Sequence, residues 1–267
     1  MRVCALGDLL LDVIVRLEAP IALDTDTYGQ TRVGAGGQAA NVAAWVADLG
    51  AVSRLLAVRA RDPAGRLVAA ELVGRGVELV GPEREAGMGT VVSIATPDGR
   101  RTMLSDRGAA TTFAPAELDP EWIRGFDVLH IPGYSLVRSP LRETALAAAA
   151  IAPRVSVDLS SRAAIVGLGV ARFRELLETL QPGVVFANEE ESTLVGALDA
   201  PTFVLKRGAR GCVVRIAGEE QAYPALPAEL VDSTGAGDAF AAGFLLGGPD
   251  LALRAAARCV GRLGAMP

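Results

Sequence analysis

The sequence is short of the side chains from which many active sites are made. It has one histidine, His130, and three cysteines among 267 residues. A single histidine removes most Ser-His and Cys-His schemes of nucleophilic catalysis. Cys4, Cys212 and Cys259 are odd in number, far apart and set in apolar runs. They read as three reduced, buried thiols, and no Cys/His spacing fits zinc. There is no excess of positive charge; the formal net charge is −5, which argues against a general nucleic-acid binder. No apolar run is long enough to span a bilayer. The start, Met1 to Leu6, enters a strand with no signal-peptide layout. These absences lead us to expect a cytoplasmic protein without a membrane or nucleic-acid partner.

Aromatic residues are scarce at 4 %, yet 51 % of the chain is hydrophobic. A large aliphatic share with few rings suits an α/β protein with a buried parallel sheet. The length allows one large domain or two small ones.

The most informative stretch is Asp232-Ser-Thr-Gly-Ala-Gly-Asp238-Ala-Phe-Ala-Ala-Gly-Phe244. Gly235 and Gly237 bring bare backbone to a turn, and the apolar run from Ala239 to Leu246 reads as a buried helix. Free N–H groups at a helix start favour an anion. Asp238 at that same end suits a general base, because a phosphoryl acceptor must lose its proton where the phosphate arrives. The plainer reading is an ordinary helix cap with turn glycines. No Lys-Ser/Thr follows the glycines as in a Walker loop, and Phe240 stands where a dinucleotide fingerprint needs a third small residue.

A second glycine-rich segment, Gly34-Ala-Gly36-Gly37-Gln-Ala-Ala-Asn41, precedes Val42, Trp45, Val46 and Leu49 at helical spacing. Earlier, Gly7-Asp8-Leu-Leu-Leu-Asp12 ends the first strand, with Asp8 read as a turn cap. Residues 13–33 alternate weakly, as short exposed strands or loops. Val52 to Val58 reads as a strand, and Asp62-Pro63 as the cap and first residue of a helix that Gly74 and Gly76 end. Thr90–Thr96 and Arg101–Ser105 read as a hairpin around Pro97-Asp98-Gly99. Arg107 follows it, available either to an anionic or hydroxyl group of a ligand or to a surface ion pair. From Phe126 onward strands and helices alternate, with Ser139-Pro140 capping an Ala-rich helix and a last helix over 251–264. Such alternation predicts a parallel sheet with ligands at the strands' C-terminal ends. His130 falls in an apolar strand and reads as a core residue.

The string Asp232–Phe240 resembles the C-terminal signature of the ribokinase-like (PfkB) carbohydrate kinases, Asp-Thr-Thr-Gly-Ala-Gly-Asp-x-Phe, with Ser233 as a departure. Gly36-Gly37-x-x-x-Asn41 resembles their N-terminal signature, although Gln38-Ala39 stand where ribokinases carry Lys-Gly, which argues against ribose itself. The resemblance implies a three-layer α/β fold with a mostly parallel central sheet and a small β lid. The lid would comprise 13–33 and 88–107, and the α/β domain 1–12, 34–87 and 108–267. It implies an ATP-dependent transfer of the γ-phosphoryl group to a primary hydroxyl of a small sugar or sugar derivative. Asp238 would be the base and the amides of Gly235, Ala236 and Gly237 the anion hole. Asp12, Gly36, Gly37 and Asn41 would hold the sugar, joined by Arg107. Asn188, Lys206 and Gly208 would meet the nucleotide. Glu191 and Asn188 would hold Mg²⁺ through water, and Asp232 a monovalent cation such as K⁺. The alternatives are a nucleoside kinase of the same family and a non-catalytic sugar- or nucleotide-binding regulator. A lid edge could also pair two copies as a homodimer.

Overall fold

The first apolar run, Arg2–Leu6 (β1), lies inside a sheet and not at its edge. The computed structural model describes residues 1–85, 87–98 and 100–267. Among these, nine strands form the main sheet. On one side of β1 lie Val52–Leu56 (β4) and Val77–Val80 (β6). On the other lie Val128–Pro132 (β10), Val155–Asp158 (β11), Val184–Asn188 (β12), Thr202–Lys206 (β13), Cys212–Ile216 (β14) and Glu219–Tyr223 (β15). Pairing is parallel from β6 through β13 and antiparallel for the last two strands. The chain therefore winds outward from β1 in both directions. A crevice opens above the C-terminal ends of β1 and β10, where the winding reverses.

A second, four-stranded sheet contains Leu10–Leu17 (β2), Gly29–Gly36 (β3), Thr90–Ala95 (β8) and Arg101–Asp106 (β9), in the order β3-β2-β8-β9. Two-residue strands Arg59–Ala60 (β5) and Glu83–Arg84 (β7) pair beside it. The weakly alternating segment 13–33 is thus largely two long antiparallel strands, and Asp12, Gly34 and Gly36 lie within this small sheet. The amide of Thr96 donates to the Arg100 carbonyl and closes the β8–β9 hairpin. Gly99 of its turn lies outside the described residues.

Helices cover both faces of the main sheet. Gln38–Asp48 (α1), Pro63–Gly74 (α2) and Ala236–Val260 (α7) take one face; Leu141–Ala149 (α3), Arg162–Leu168 (α4), Val170–Leu180 (α5) and Glu189–Val195 (α6) take the other. The three-layer α/β architecture with a small separate sheet is as the sequence implied. The strand apolar runs are buried on both sides, which explains why they read as continuous and not alternating. Phe186 of β12 meets Phe240 and Phe244 of α7 edge-on, so α7 is locked to the sheet by aromatic packing.

Several local readings change. β6 and β15 have no strand signal in the sequence. The first is only four residues long, and the second, Glu-Glu-Gln-Ala-Tyr, is an edge strand with almost no buried face. Ser139 does not cap α3: its hydroxyl binds the Glu143 carboxylate, and Pro140 is the residue before the helix. The last helical stretch ends at Val260 and not at Gly264; α7 is broken by non-helical Gly247 and Gly248. Asp62 does cap α2, accepting from the Gly65 amide at 2.7 Å. The three cysteines are free and buried. No helix among the described residues is long and apolar enough to cross a membrane.

Candidate active site

The Gly-rich turn 232–237 runs into α7 as the sequence predicts. Gly235 precedes the helix with φ +75°, the left-handed region that favours glycine. A Cβ there would also collide with Ala265, so the turn is pressed against the C-terminal segment. Asp238 sits in the first helical turn and is buried. Its Oδ2 accepts a hydrogen bond from Asn41 Nδ2 at 2.7 Å. Burial pushes its pKa up to about 7; the Asn41 hydrogen bond pulls it down, Asp158 and Asp8 push it up, and Lys206 pulls it down. A carboxylate tuned to that range suits a base that cycles near neutral pH.

The turn before α1 supplies the other wall. Gly37 precedes that helix with φ +98°, and a Cβ there would strike the Asp8 carbonyl. Asn41 is buried in the first turn of α1, and its Oδ1 has no partner among the described residues. The sequence assigned Asn41 to the sugar; the structure gives its amide to Asp238 and leaves its carbonyl oxygen free. The Asp12 carboxyl lies directly over Gly36, filling the space a side chain would take. Burial and then the neighbouring Asp8 carboxylate push Asp12 up to about 7, against the pull of Arg107.

Asp8 is the residue the sequence reading undervalued. It is buried, its Oδ1 accepts from the Ala39 amide at 3.5 Å, and its Oδ2 takes the Arg107 guanidinium. Its importance shows only in the fold: Asp8 follows β1, the strand at which the sheet order reverses. Arg107 is therefore in a partly buried ion pair and not a surface one, stacked 4.2 Å above the Tyr134 ring. A cavity of about 510 Å³ opens here, lined by Asp8, Ser105, Arg107, Tyr134, Ser135 and Arg138 among others.

A second cavity, about 550 Å³, lies on the far side of the turn. Its lining divides into Lys206, Gly208, Ser233 and Gly237 on the one hand and apolar residues such as Leu226, Pro227, Phe240 and Val260 on the other. That division suits a nucleotide, phosphates at one end and base at the other. Of the 26 lysine and arginine residues, Lys206 is the only lysine. Its Nζ lies beside Gly237, where an added Cβ would be 3.3 Å away, and it is paired with the buried carboxylate of Asp158. Asp158, at the end of β11, is a further residue to which the sequence analysis gives no role. Its Oδ1 accepts from the Ser160 amide at 3.0 Å, which fixes the carboxylate toward the lysine. Burial opposes charge on Lys206, but Asp158, Glu191 and Asp238 outweigh it and hold the ammonium form. The lone lysine was the sequence signal for this pair.

Asn188 and Glu191 form a reciprocal cap of α6. Glu191 Oε2 accepts from the Asn188 amide at 2.9 Å, Oε1 from Nδ2 at 2.8 Å, and Asn188 Oδ1 accepts from the Glu191 amide. The acidic start of this helix is thus an ordinary cap, a geometry that still leaves room for a polar role toward a nucleotide. Burial and then Asp158 raise the Glu191 pKa. Among the described residues no group of three or more His, Cys, Asp or Glu could by itself hold a metal. His130 is buried, bonded to Ser156 Oγ at 2.9 Å, and burial pushes it down to about 4; it takes no part in the site.

The sequence is 32 % identical over 257 residues to the ATP-dependent ribose-1-phosphate kinase of Halopiger xanaduensis, covering 92 % of this chain and 84 % of the relative. It is 29 % identical over 266 residues to Fructokinase-1 of Oryza sativa subsp. japonica, covering 91 % and 81 %. The crystal structure of a probable sugar kinase from Rhizobium etli has the same fold, with a TM-score of 0.89 over 100 % of this chain and 94 % of that one at 23 % identity. The pfkB family carbohydrate kinase model matches residues 1–265, and the chain belongs to that family.

Proposed function

We propose that this protein moves the γ-phosphoryl group of ATP to a primary hydroxyl of a small sugar or sugar derivative. The observation that carries the reading is the placement of Asp238. One buried carboxylate stands at the bare-backbone turn, with the Lys206 cavity on one side and, beyond Asn41 and Asp8, the Arg107 cavity on the other. Asp238 takes the hydroxyl proton. The amides of Gly235, Ala236 and Gly237 and the Lys206 ammonium meet the charge on the transferring group. Asp12, Gly36, Gly37 and Asn41 orient the acceptor, with Arg107 at its far end. Gly208 lets backbone approach the nucleotide. The small sheet, as a lid, excludes water that would compete as acceptor.

The donor set at Asn188 and Glu191 fits Mg²⁺ only through water, since one capped carboxylate cannot replace the ion's shell. When bound there, Mg²⁺ would supply neutralisation of the triphosphate charge. Asp232 fits a monovalent cation poorly. Its Oδ1 already accepts from the amide and hydroxyl of Thr234 at 2.9 and 2.6 Å, its Oδ2 from the Gly264 amide at 3.0 Å, and Arg101 stands beside it.

A nucleoside acceptor is the weaker reading. Trp45 and Phe113 are fully buried in the core, and the face of Tyr134 is occupied by Arg107, so none of these three rings offers a free face to a base. Three free thiols support a reducing, cytoplasmic setting. The exposed edge strand β9 supports lid-to-lid pairing of two copies, which sedimentation analysis would detect. The defining experiment is ADP release over a panel of sugars, sugar acids, sugar phosphates and nucleosides, with Asp238→Asn as control. No release from any acceptor, despite ATP binding, overturns the kinase reading in favour of a regulator.

A further inference from the structure

We propose that Arg101, carried on the lid strand β9, is the built-in cation of the anion-binding turn, so that phosphoryl transfer here needs no K⁺ and lid closure itself completes the turn. The inference rests on the kinase reading above and deepens it.

Asp232 and Thr234 immediately precede the glycines of the turn. The Arg101 guanidinium bonds Thr234 Oγ1 and lies 3.5 Å from Asp232 Oδ1. The other donors on the Asp232 carboxylate, Thr234 and the Gly264 amide, are uncharged. Arg101 is thus the only formal positive charge in direct contact with that carboxylate among the described residues. Asp232 is only 13 % exposed at its side chain. A carboxylate so placed, beside the point where a triphosphate must arrive, needs a counter-charge. A metal ion would have to compete with the three donors crowded on Oδ1 and the Gly264 amide on Oδ2, whereas the guanidinium satisfies the charge with none displaced.

A second set of contacts ties the same elements together. Arg32 of β3 donates to the Leu263 carbonyl at 2.7 Å, and Gly264 packs against Ile14 of β2. The C-terminal segment in turn presses on Gly235 through Ala265. The lid therefore reaches the turn twice, directly through Arg101 and indirectly through 263–265. Lifting the lid removes the cation from Asp232; closing it over an acceptor restores it. Arg101 is a positioning residue: it acts on the transferring group through the turn. Acceptor and nucleotide affinities become coupled, each ligand favouring the closed arrangement that the other needs.

The test measures ADP release and thermal unfolding at constant ionic strength in KCl, NaCl and N-methylglucamine chloride, for the wild type, Arg101→Ala and Arg101→Lys. The wild type should show equal kcat/KM and equal nucleotide-induced melting shifts in all three salts. Arg101→Ala should lose about 10- to 100-fold in kcat/KM, with a raised KM for ATP and with acceptor no longer tightening nucleotide binding. Arg101→Lys should recover most of that loss. A wild type that gains tenfold or more from K⁺, or Arg101→Ala with unchanged kinetics and unchanged coupling, overturns the proposal while leaving the kinase reading intact. The melting shifts of the ATP-bound protein read the salt effect even if no acceptor in the panel turns over; a K⁺-specific shift there overturns it equally.

Discussion

Asn41 and Asp238 lie 197 residues apart in sequence and are joined by a 2.7 Å hydrogen bond from the asparagine amide to the carboxylate. The bond welds the first turn of α1 to the first turn of α7. It brings the two glycine-rich turns together and fixes the orientation of the acid. Because the donor is neutral, it stabilises the ionised acid without cancelling its charge.

Asp238→Asn should keep the fold, since asparagine can still accept from Asn41. It should lose about 10²–10⁴-fold in turnover, the scale of a general base. In the wild type, kcat/KM should rise with pH through a limb near 7, the value to which burial lifts Asp238. A pH profile flat across neutrality would remove Asp238 from that role.

Asn41→Ala should move that limb. Removing a donor to the ionised form raises the acid's pKa further, so the limb shifts to higher pH. The variant should be most impaired at neutral pH and partly restored in alkaline buffer. An unmoved limb with lower activity throughout would instead assign Asn41 to the substrate alone.

Stability should carry the opposite dependence on pH. Asp12 and Asp238 are both raised from 3.8 to about 7 in the folded protein. Their neutral forms therefore favour folding fully below about pH 4, and that contribution is lost as pH rises through 7. Asp12→Asn and Asp238→Asn should each melt higher than wild type at about pH 8, with the gap closing toward about pH 5. Melting curves at several pH values check this; a gap independent of pH would contradict it.

Lys206→Arg should behave as badly as Lys206→Met. The ammonium sits beside Gly237 against the buried Asp158 carboxylate, a place for a compact charge and not a planar fork. Both variants should raise the KM for ATP and lower kcat. A fully active arginine variant would show that only the charge matters.

The chemistry-bearing turns were the legible part of the sequence. Asp238 and Gly235–Gly237 announced themselves because glycine spacing, an acid and an apolar helix follow one another without interruption. The parallel sheet was legible because strands buried on both faces stay apolar throughout. Asp8 and Asp158 were not, since a lone aspartate after a strand looks like any turn residue. Their meaning comes from Arg107 and Lys206, which lie 99 and 48 residues away. The lid strands β2 and β3 were blurred for a related reason: most of their residues are partly exposed, so neither face leaves a clean alternation. The Arg101 contact with the turn spans 133 residues and had no local signature at all.

The small sheet shares little of the main core. Among the described residues its strands give Leu10 and Val91 to a small separate buried cluster that Ala110 completes from outside the sheet, and every residue of β9 is exposed. Substitutions there disturb few packed neighbours and so fall in the mild range for surface positions. Of the proposed acceptor-side residues, Asp12 and Gly36 thus stand on the lightly packed small sheet, while Gly37, Asn41 and the proposed base Asp238 are anchored at the helices of the main body. On the proposed reading, a lineage built on this plan can tune its acceptor through Asp12 and the small sheet with the reacting groups left untouched.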